Sequence, residues 1–298
     1  MNSFLRIVRA LLLTVVVVVM GLAIWVFIAS ERRLNQTYDV TVKPIAALTD
    51  STAVARGEHL FQTISCTLCH GEDGGGAIIQ QSGMLGTIAG PNLTRGRGGS
   101  GAQRSDIDWV RAIRRGVRHD GTSLIVMPSE VFTHLAESDL GAILGYLRQL
   151  PHVEREVPAS GFGPMGRALL AAGKLNILVA PKTPDYDAPA TPPPSGTIEY
   201  GRYLADVSGC HGCHGYGLSG GRVAGPPGLP PASNLTPTGI GTWTESDFTR
   251  AMREGKRPDG TTLDPFMPWN VFRKMTEDDL HALWLYLQSV PAREFGNK

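Results

Sequence analysis

A five-residue pattern that occurs twice constrains this chain more than any other feature of its sequence. Cysteine, two further residues, a second cysteine and a histidine stand at Cys66–His70 and again at Cys210–His214. The two copies lie 144 residues apart, and together they contain all four cysteines of the 298-residue chain. No cysteine is left for a structural disulfide outside these copies. The spacing therefore predicts two similar units, each organised around one copy of the pattern.

The C-x-x-C-H pattern is typical of c-type haem attachment. Each cysteine sulfur can add to a vinyl group of the haem, and the adjacent histidine then becomes the proximal iron ligand. A zinc site would require a second Cys/His pair close enough to complete a tetrahedron, and a thioredoxin-like redox pair requires no following histidine. We therefore predict two covalently attached haem c groups, held by Cys66, Cys69 and His70 and by Cys210, Cys213 and His214.

A Met-Pro pair downstream of each pattern supplies a candidate for the second axial ligand. Met127 lies 57 residues after His70, and Met267 lies 53 residues after His214. A thioether opposite an imidazole raises the haem potential and closes the sixth coordination position of the iron. The sequence therefore predicts a His/Met iron site in each unit.

Two alternatives to methionine ligation stay open at this point. Both methionines can instead be ordinary core residues, although the other methionines inside the units have no counterpart in the partner unit: Met84, Met252 and Met275. In the first unit His119 is a rival ligand, but Pro258 holds its matching place in the second unit.

Further matches between the units indicate a duplicated domain. Asn92-Leu93-Thr94 matches Asn234-Leu235-Thr236 at an offset of 142, and the two Met-Pro pairs match at 140. Such small drift is typical of one domain copied once, with short loop insertions, rather than of a solenoid with periods of 20–50 residues. We predict domains at 52–155 and 197–298, joined by a proline-rich linker at 156–196.

The sequence patterns of both units predict helices. Ser105 and Thr244 each stand three residues before an acidic residue, which is the form of a capping box, and Gly116 and Gly255 are the expected C-caps. A third such box at Thr276 opens the last helix of the second unit. No run alternates strictly between apolar and polar residues as a half-buried strand does. We predict an all-α fold. The chain carries 28 basic and 27 acidic residues, so its charge gives no indication of nucleic-acid binding.

The N-terminal segment is apolar for twenty residues, from Ala10 to Ala29, with Thr14 as its only polar interruption. A helix of that length is about 30 Å long and can cross a bilayer core. A cleaved signal peptide would have a shorter apolar core, of 7–15 residues, before a small-x-small site. We predict a retained single-pass anchor at 1–32, followed by a stalk at 33–51.

With these motifs in place, each unit resembles a class I cytochrome c domain, and the resemblance covers nearly everything from residue 52 onward. It implies that the first and last helices of each domain cross where a glycine meets an aromatic residue, at Gly57 in the first unit and Gly201 in the second. It also implies that the free N–H of the proximal histidine bonds the carbonyl of Pro91. Ser233 replaces that proline in the second unit.

The tandem, anchored arrangement resembles dihaem cytochromes of bacterial respiratory chains and membrane dehydrogenases. It implies a single-pass protein of the bacterial inner membrane, with both domains on the periplasmic side, that relays single electrons from a dehydrogenase or quinol-oxidising complex to a cytochrome or terminal oxidase. Its partners would be redox proteins. The alternatives are an obligate subunit of an oxidase or dehydrogenase complex, or a dihaem peroxidase or thiosulfate-oxidising enzyme. No general base, nucleophile or substrate pocket can be identified in the sequence, which favours an electron carrier over an enzyme.

Two smaller expectations concern the surface. Residues 165–180 are apolar enough for a short helix, which either packs on the domains or contacts the membrane or a partner subunit. Arg111, Arg114, Arg115 and Arg118 fall on one helical face. That face is either exposed to solvent or paired with haem propionates. The alternative is a docking patch for an acidic redox protein.

Overall fold

The computed structural model describes residues 2–223 and 228–296. Residues 224–227 and 297–298, which the sequence assigns to the second domain, lie outside the described residues. Within the described part, the helices are α1 Asn2–Leu34, α2 Ser51–Thr63, α3 Cys66–His70, α4 Asp106–Arg115, α5 Ser129–Phe132, α6 Glu137–Gln149, α7 Pro164–Ala171, α8 Ile198–Val207, α9 Cys210–His214, α10 Pro237–Ile240, α11 Glu245–Glu254, α12 Trp269–Phe272 and α13 Glu277–Ser289. The strands are β1 Ala77–Ser82, β2 Gly86–Gly90 and β3 Gly161–Phe162.

The N-terminal helix α1 stands apart from the rest of the fold along most of its length. Residues Ser3–Leu34 have a mean hydropathy of 3.0, and the most apolar part of the helix is not buried inside the protein. It is the one helix of the described residues that is long and apolar enough to cross a membrane, judged by length and composition. The predicted apolar helix is confirmed.

A crossing of its first and last helices forms the centre of the first helical domain. Gly57 on α2 faces the backbone of α6, and a Cβ there would come within 2.0 Å of the Ala142 carbonyl oxygen. The rings of Phe61 and Tyr146 pack beside this contact, 5.4 Å apart. Glycine is required because only a residue without a side chain lets the two backbones approach this closely. The predicted crossing is confirmed.

The second domain repeats the crossing between α8 and α13. A Cβ on Gly201 would lie 1.9 Å from the Ala282 carbonyl oxygen. The neighbouring Ala205, at the place of Phe61, is buried, and Tyr200 and Tyr203 fill the surrounding core. The crossing is therefore retained although its aromatic partner is different.

The three capping boxes lie where the sequence predicts them. Ser105 opens α4, Thr244 opens α11 and Thr276 opens α13, each with both reciprocal hydrogen bonds. Gly116 and Gly255 end α4 and α11 in the left-handed conformation, with φ of 64° and 68°. These local signals determine the helix boundaries because they satisfy backbone N–H groups that have no partner within the helix.

A small antiparallel sheet in order β1-β2-β3 is the departure from a purely helical fold. Strand β1 pairs with β2 through a two-strand hairpin that contains a register irregularity between Ile78 and Gln80. Strand β3, from the predicted linker, adds to the other edge of β2. The strands of the hairpin are mostly exposed or half-buried and do not alternate, so the sequence contained no clear signal for them.

The predicted stalk and much of the predicted linker pack on the first domain. Among the stalk's hydrogen bonds to this domain are those from Tyr38 N–H to the Gly121 carbonyl and from Leu48 N–H to the Gly141 carbonyl. In the linker, helix α7 packs against α1, and Val179 bonds back to Leu124. The expected short helix near residues 165–180 is thus present, and one side of it packs against α1. The proline content predicts an extended spacer, but much of the linker packs against the first domain and α1.

The two domains meet through a polar cluster with approximate twofold symmetry. Matching residues occupy matching roles, because Arg56 corresponds to Tyr200, His59 to Tyr203 and Asp139 to Asp279. Tyr203 Oη donates to Asp139 Oδ2 across the interface at 2.7 Å, and His59 Nε2 lies 2.7 Å from Asp279 Oδ2. Within each domain Arg56 pairs with Asp139 and Tyr200 Oη donates to Asp279.

At the centre of this cluster, two residues at matching positions of the two domains contact each other. Arg56 Nη1 donates to Tyr200 Oη at 2.9 Å, so the pair straddles the approximate axis. Burial alone would raise the pKa of Asp279, but the hydrogen bonds from His59 and from the Thr276 backbone outweigh it and lower that pKa to about 2. Buried charged groups are tolerated only when they are paired and hydrogen-bonded. The cluster therefore fixes one arrangement of the two domains.

Candidate haem sites

The two C-x-x-C-H patterns form short helices, α3 and α9, of five residues each. Residues three apart share one helical face, so the two cysteines of each pattern lie on the same side. A left-handed residue precedes each helix, with Ser65 at φ 74° and Gly209 at φ 76°. This sharp entry brings the cysteines against the domain core, where Cys66 and Cys210 pack.

The proximal histidines are oriented by backbone carbonyls. His70 Nδ1 lies 3.0 Å from the Pro91 carbonyl oxygen, and His214 Nδ1 lies 2.7 Å from that of Ser233. A carbonyl can only accept, so each Nδ1 carries the proton and Nε2 is the nitrogen with a free lone pair. The expected contact is present in both domains, and replacing proline by serine preserves it. Burial lowers the pKa of His70, which favours the neutral imidazole that a metal needs.

Burial also controls the protonation of the cysteines. It raises the pKa of Cys66 and of Cys210 to about 12 in each case. Redox-active cysteines of the C-x-x-C type have lowered pKa values instead, because the thiolate is the reactive form. The electrostatics of these patterns therefore disfavour the redox-pair alternative.

A buried asparagine holds the loop that carries each of these carbonyls. Asn92 donates to the carbonyls of Val153 and Arg155 and accepts from Thr94, while Asn234 repeats the arrangement. Both asparagines are buried, which explains Asn-Leu-Thr in both units as a structural motif. The position of each proximal histidine thus depends on the segment after the last helix of its own domain.

The first domain encloses a cavity of about 530 Å³ beside α3. Cys66, Cys69 and His70 line it together with Met127, so the structure brings the four predicted residues of this site to one cavity. Most of the remaining lining is apolar and comes from the helical core. His119 also borders this cavity. The hairpin and residues 157–160 of the predicted linker complete the wall, a contribution that the sequence did not indicate.

The second domain has a matching cavity of about 470 Å³. Cys213, His214 and Met267 line it, and Cys210 lies one helical turn before Cys213, packed against the core. Pockets of this size, with mostly apolar walls and a few polar groups, are typical of cofactor sites. The paired cysteines, the oriented imidazole and the methionine fit a haem attached through two thioether bonds.

The arginine face of α4 has mostly internal partners. The buried Arg114 donates to the carbonyls of Thr133 and Leu135, and Arg115 pairs with Asp185. Arg118 lines the first cavity, and Arg257 lines the second in the matching position. These contacts favour structural and cavity roles over the docking-patch alternative.

The chain belongs to the cytochrome c family. The model of that family, described as Cytochrome c, matches residues 54–151 and again 198–291. Together the two matches cover more than half of the chain. Membership accounts for the paired crossings, the repeated cysteine helices and the cavities beside them, and cytochrome c domains carry covalently bound haem c.

Several similar proteins are cytochrome subunits of dehydrogenases. The fructose dehydrogenase cytochrome subunit of Gluconobacter japonicus is 32% identical over 136 residues, which cover 41% of this chain and 28% of that protein. The alcohol dehydrogenase (quinone) cytochrome c subunit of Gluconacetobacter polyoxogenes is 37% identical over 113 residues, which cover 35% of this chain and 23% of that subunit. The gluconate 2-dehydrogenase cytochrome c subunit of Pantoea cypripedii is 36% identical over 97 residues, which cover 30% of this chain and 22% of that protein. The chain thus spans about a quarter of the length of these relatives.

Proposed function

We propose that this chain is a membrane-anchored dihaem cytochrome c that accepts single electrons from a membrane dehydrogenase and passes them to a cytochrome or terminal oxidase. The observation that carries the proposal is the duplicated cavity, each copy bordered by a cysteine helix, a histidine and a methionine. The relatives named as dehydrogenase cytochrome subunits support a dehydrogenase as the electron donor.

In this proposal each domain binds one haem, at 52–155 and 197–298. Cys66 and Cys69 bind the first and Cys210 and Cys213 the second, while the axial pairs are His70 with Met127 and His214 with Met267. The haem supplies a one-electron iron couple. The protein orients each imidazole through a backbone carbonyl, surrounds each site with apolar side chains and provides Arg118 and Arg257 as positive partners for propionates.

The same ligand set bears on the enzymatic alternative. With Met127 and Met267 as ligands beside the two histidines, neither haem iron would keep a position open to a small substrate, and peroxidase chemistry needs such a position. The ligand set therefore argues against the peroxidase and thiosulfate-oxidising alternatives. Membership of a stable dehydrogenase or oxidase complex remains compatible with the relay, since it changes the assembly and not the electron-transfer chemistry.

The proposed location follows from α1. Its apolar segment is long enough to span a bilayer once, which supports a single-pass anchor at residues 1–32 in a bacterial inner membrane. Covalent haem attachment takes place outside the cytoplasm in proteins that this chain resembles, so both domains are proposed to lie on the periplasmic side.

Purification of the full chain from native membranes in mild detergent tests this proposal. We expect an intact mass that includes two covalent haems, low-spin spectra for both, and a membrane dehydrogenase among the copurifying proteins. We also expect that dehydrogenase and its substrate to reduce the haems of the chain, and an added oxidase to oxidise them rapidly. Both results together would support the electron relay. A high-spin haem in the resting protein with fast peroxide or thiosulfate turnover would contradict it.

A further inference from the structure

An uncharged, exposed surface lies beside the end of α1. Three large apolar side chains form it: Met84 and Leu85 at the tip of the hairpin and Met165 in the first turn of α7, with exposed fractions of 54%, 38% and 48%. We call it the Met84–Met165 patch. Ala168 and Ala172, the next exposed positions on that side of α7, are also apolar. An exposed helix face in a soluble domain is ordinarily polar.

Backbone hydrogen bonds hold the patch together. The Met84 carbonyl accepts from the N–H groups of Met165 and Gly166, at 3.0 and 3.2 Å. Gly163 N–H donates in turn to the Leu85 carbonyl at 3.1 Å. The hairpin tip and the start of α7 therefore form one rigid surface rather than two independent loops.

Contacts between α7 and α1 give the depth of this surface along the anchor. Arg167 donates to Ser30 and Glu31, and its guanidinium lies 4.9 Å from the centre of the Phe27 ring. Gly173, beyond the end of α7, lies beside the guanidinium of Arg33. The two helices therefore run in the same direction, with the first turn of α7 beside the part of α1 from Phe27 to Glu31. Six residues of helix separate Phe27 from Arg33, a distance of about 9 Å.

The level of Phe27 is inside the apolar segment of α1, which extends to Ala29. The exposed Trp25 stands at the same end, as aromatic residues do at the boundary of a bilayer. Three exposed positive charges lie just beyond the apolar segment and the end of α7: Arg32, Arg33 and Lys174. Apolar groups followed by cations reproduce the order of acyl chains and lipid phosphates along the bilayer normal.

We propose that the Met84–Met165 patch inserts into the interface of the lipid bilayer that holds α1. The inference rests on the proposed membrane anchoring of α1. It adds that the first domain sits on the bilayer in one orientation, because α7 packs on the anchor and is itself bonded to the hairpin tip. The second domain, fixed to the first through the polar cluster, is then held away from the membrane in a defined position.

Methionine oxidation of the full chain in lipid nanodiscs tests this inference. A water-soluble oxidant is added, and the oxidation rate at each methionine is read by peptide mass spectrometry. Phe295→Met supplies the control, because position 295 in the second domain is exposed to a similar extent, at 59%. We expect Met84 and Met165 to react about tenfold more slowly than the methionine of that variant, since lipid removes both thioethers from water.

A second measurement gives a positive signal. A phospholipid with a photoactivatable group in its acyl chain should label peptides containing residues 84–85 and 165, and leave the peptide around position 295 unlabelled. Equal oxidation rates without lipid labelling would overturn the inference. Protection in native membranes but not in nanodiscs would also overturn it and assign the patch to a partner protein. Failure of α1 itself is distinguishable, because the chain would then be extracted by alkaline carbonate and would not enter nanodiscs.

Discussion

The last helices of the two domains begin in different ways. In the second domain Thr276 caps α13 locally, through reciprocal hydrogen bonds with Asp279. In the first domain the matching residue is Ala136, which has no hydroxyl group. Its N–H donates instead to Tyr203 Oη of the second domain, and that hydroxyl also donates to Asp139. The start of α6 in one domain therefore depends on a side chain from the other.

The predicted linker contributes to the same helix start. Glu137 N–H donates to the Pro189 carbonyl and Ser138 N–H to the Ala190 carbonyl. The N–H groups of Ala136, Glu137 and Ser138 are thus satisfied from outside the first domain, whereas α13 has its own cap. The duplicated domains therefore differ in how far they depend on other parts of the chain. The last helix of the first domain is capped by the second domain and the linker, whereas the last helix of the second domain is capped by its own residues.

The walls of the two cavities also differ in the segments that form them. The hairpin and residues 157–160 close the first cavity, while Val223 and the prolines at 230–231 border the second. The loop at the second cavity holds the place of the hairpin, since Gly221 pairs with Ala232 as Ala77 does with Gly90, so among the described residues it is 157–160 that border the first site without a counterpart at the second. Solvent exposure is one of the factors that set a haem potential, so the two sites are expected to differ in potential despite matching ligands.

Exchange of the two methionines proposed as axial ligands tests whether the two sites are independent, and it has the largest expected effect. Met127→His should lower the potential of the first haem alone and Met267→His that of the second alone, on the order of 200 mV, because axial ligands span about 0.8 V. Spectroelectrochemical titration of the full chain measures both. Met275→Leu, in the buried core, is the matched control and should shift neither. Unchanged potentials in a histidine variant would remove that methionine as a ligand.

Loss of the buried carboxylate in the first domain should have the next largest effect. Asp139→Ala leaves the Arg56 guanidinium in the interface without its ion-pair partner, and breaking a buried pair from one side costs about 3 kcal/mol. Denaturant unfolding of the full chain measures this cost. Arg148→Ala, which removes the more exposed pair with Asp106 and leaves the Asp106 bond to the Ala47 N–H in place, is the control and should cost under about 1 kcal/mol. Equal losses would mean that the interface cluster contributes little.

The dependence of the first domain on the second can be broken at a single hydroxyl. Tyr203→Phe removes both bonds to the start of α6 and should cost about 2 kcal/mol. Amide hydrogen exchange should then accelerate in α6, in the domain that was not altered. Thr276→Ala, the matched change in the second domain, should cost about 1 kcal/mol and accelerate exchange in α13 only.

A compensating change sharpens this test. Adding Ala136→Thr to Tyr203→Phe gives the first domain the N-cap residue that the second already has, opposite Asp139. Protection of α6 should then recover. If Tyr203→Phe accelerates exchange only in the second domain, the first domain is autonomous and the capping argument is wrong.

The features predictable from the sequence are those whose physical cause is local or repeated. The capping boxes at Ser105, Thr244 and Thr276 involve residues three apart, and the helix crossings follow from a glycine in each copy. Matching positions in two copies also selected the residues that line the cavities. The apolar run of α1 was long enough to predict a continuous helix that can span a bilayer.

The missed features depend on contacts between distant segments. Strand β3 pairs with β2 across more than seventy residues, and neither strand alternates in the way that identifies a half-buried strand. No local pattern links Tyr203 to Asp139, and only the fold shows that they meet. The helix α7 was expected, but its position against α1 follows from Arg167, whose partners no local pattern reveals.

The smallest expected effect concerns the residue before each cysteine helix. Ser65 and Gly209 have nearly the same left-handed backbone, which costs a residue with a side chain about 1 kcal/mol and costs glycine little. Ser65→Gly should therefore stabilise the chain by about 0.5 kcal/mol, after the greater flexibility of unfolded glycine is subtracted. Gly209→Ser should destabilise it by a similar amount. A Cβ there would meet Val131 at 3.5 Å, an ordinary contact, so only the backbone conformation opposes the change. Denaturant midpoints of the two haem-loaded variants measure the difference, and a loss of stability in both would show that the Ser65 side chain has a role that the backbone argument omits.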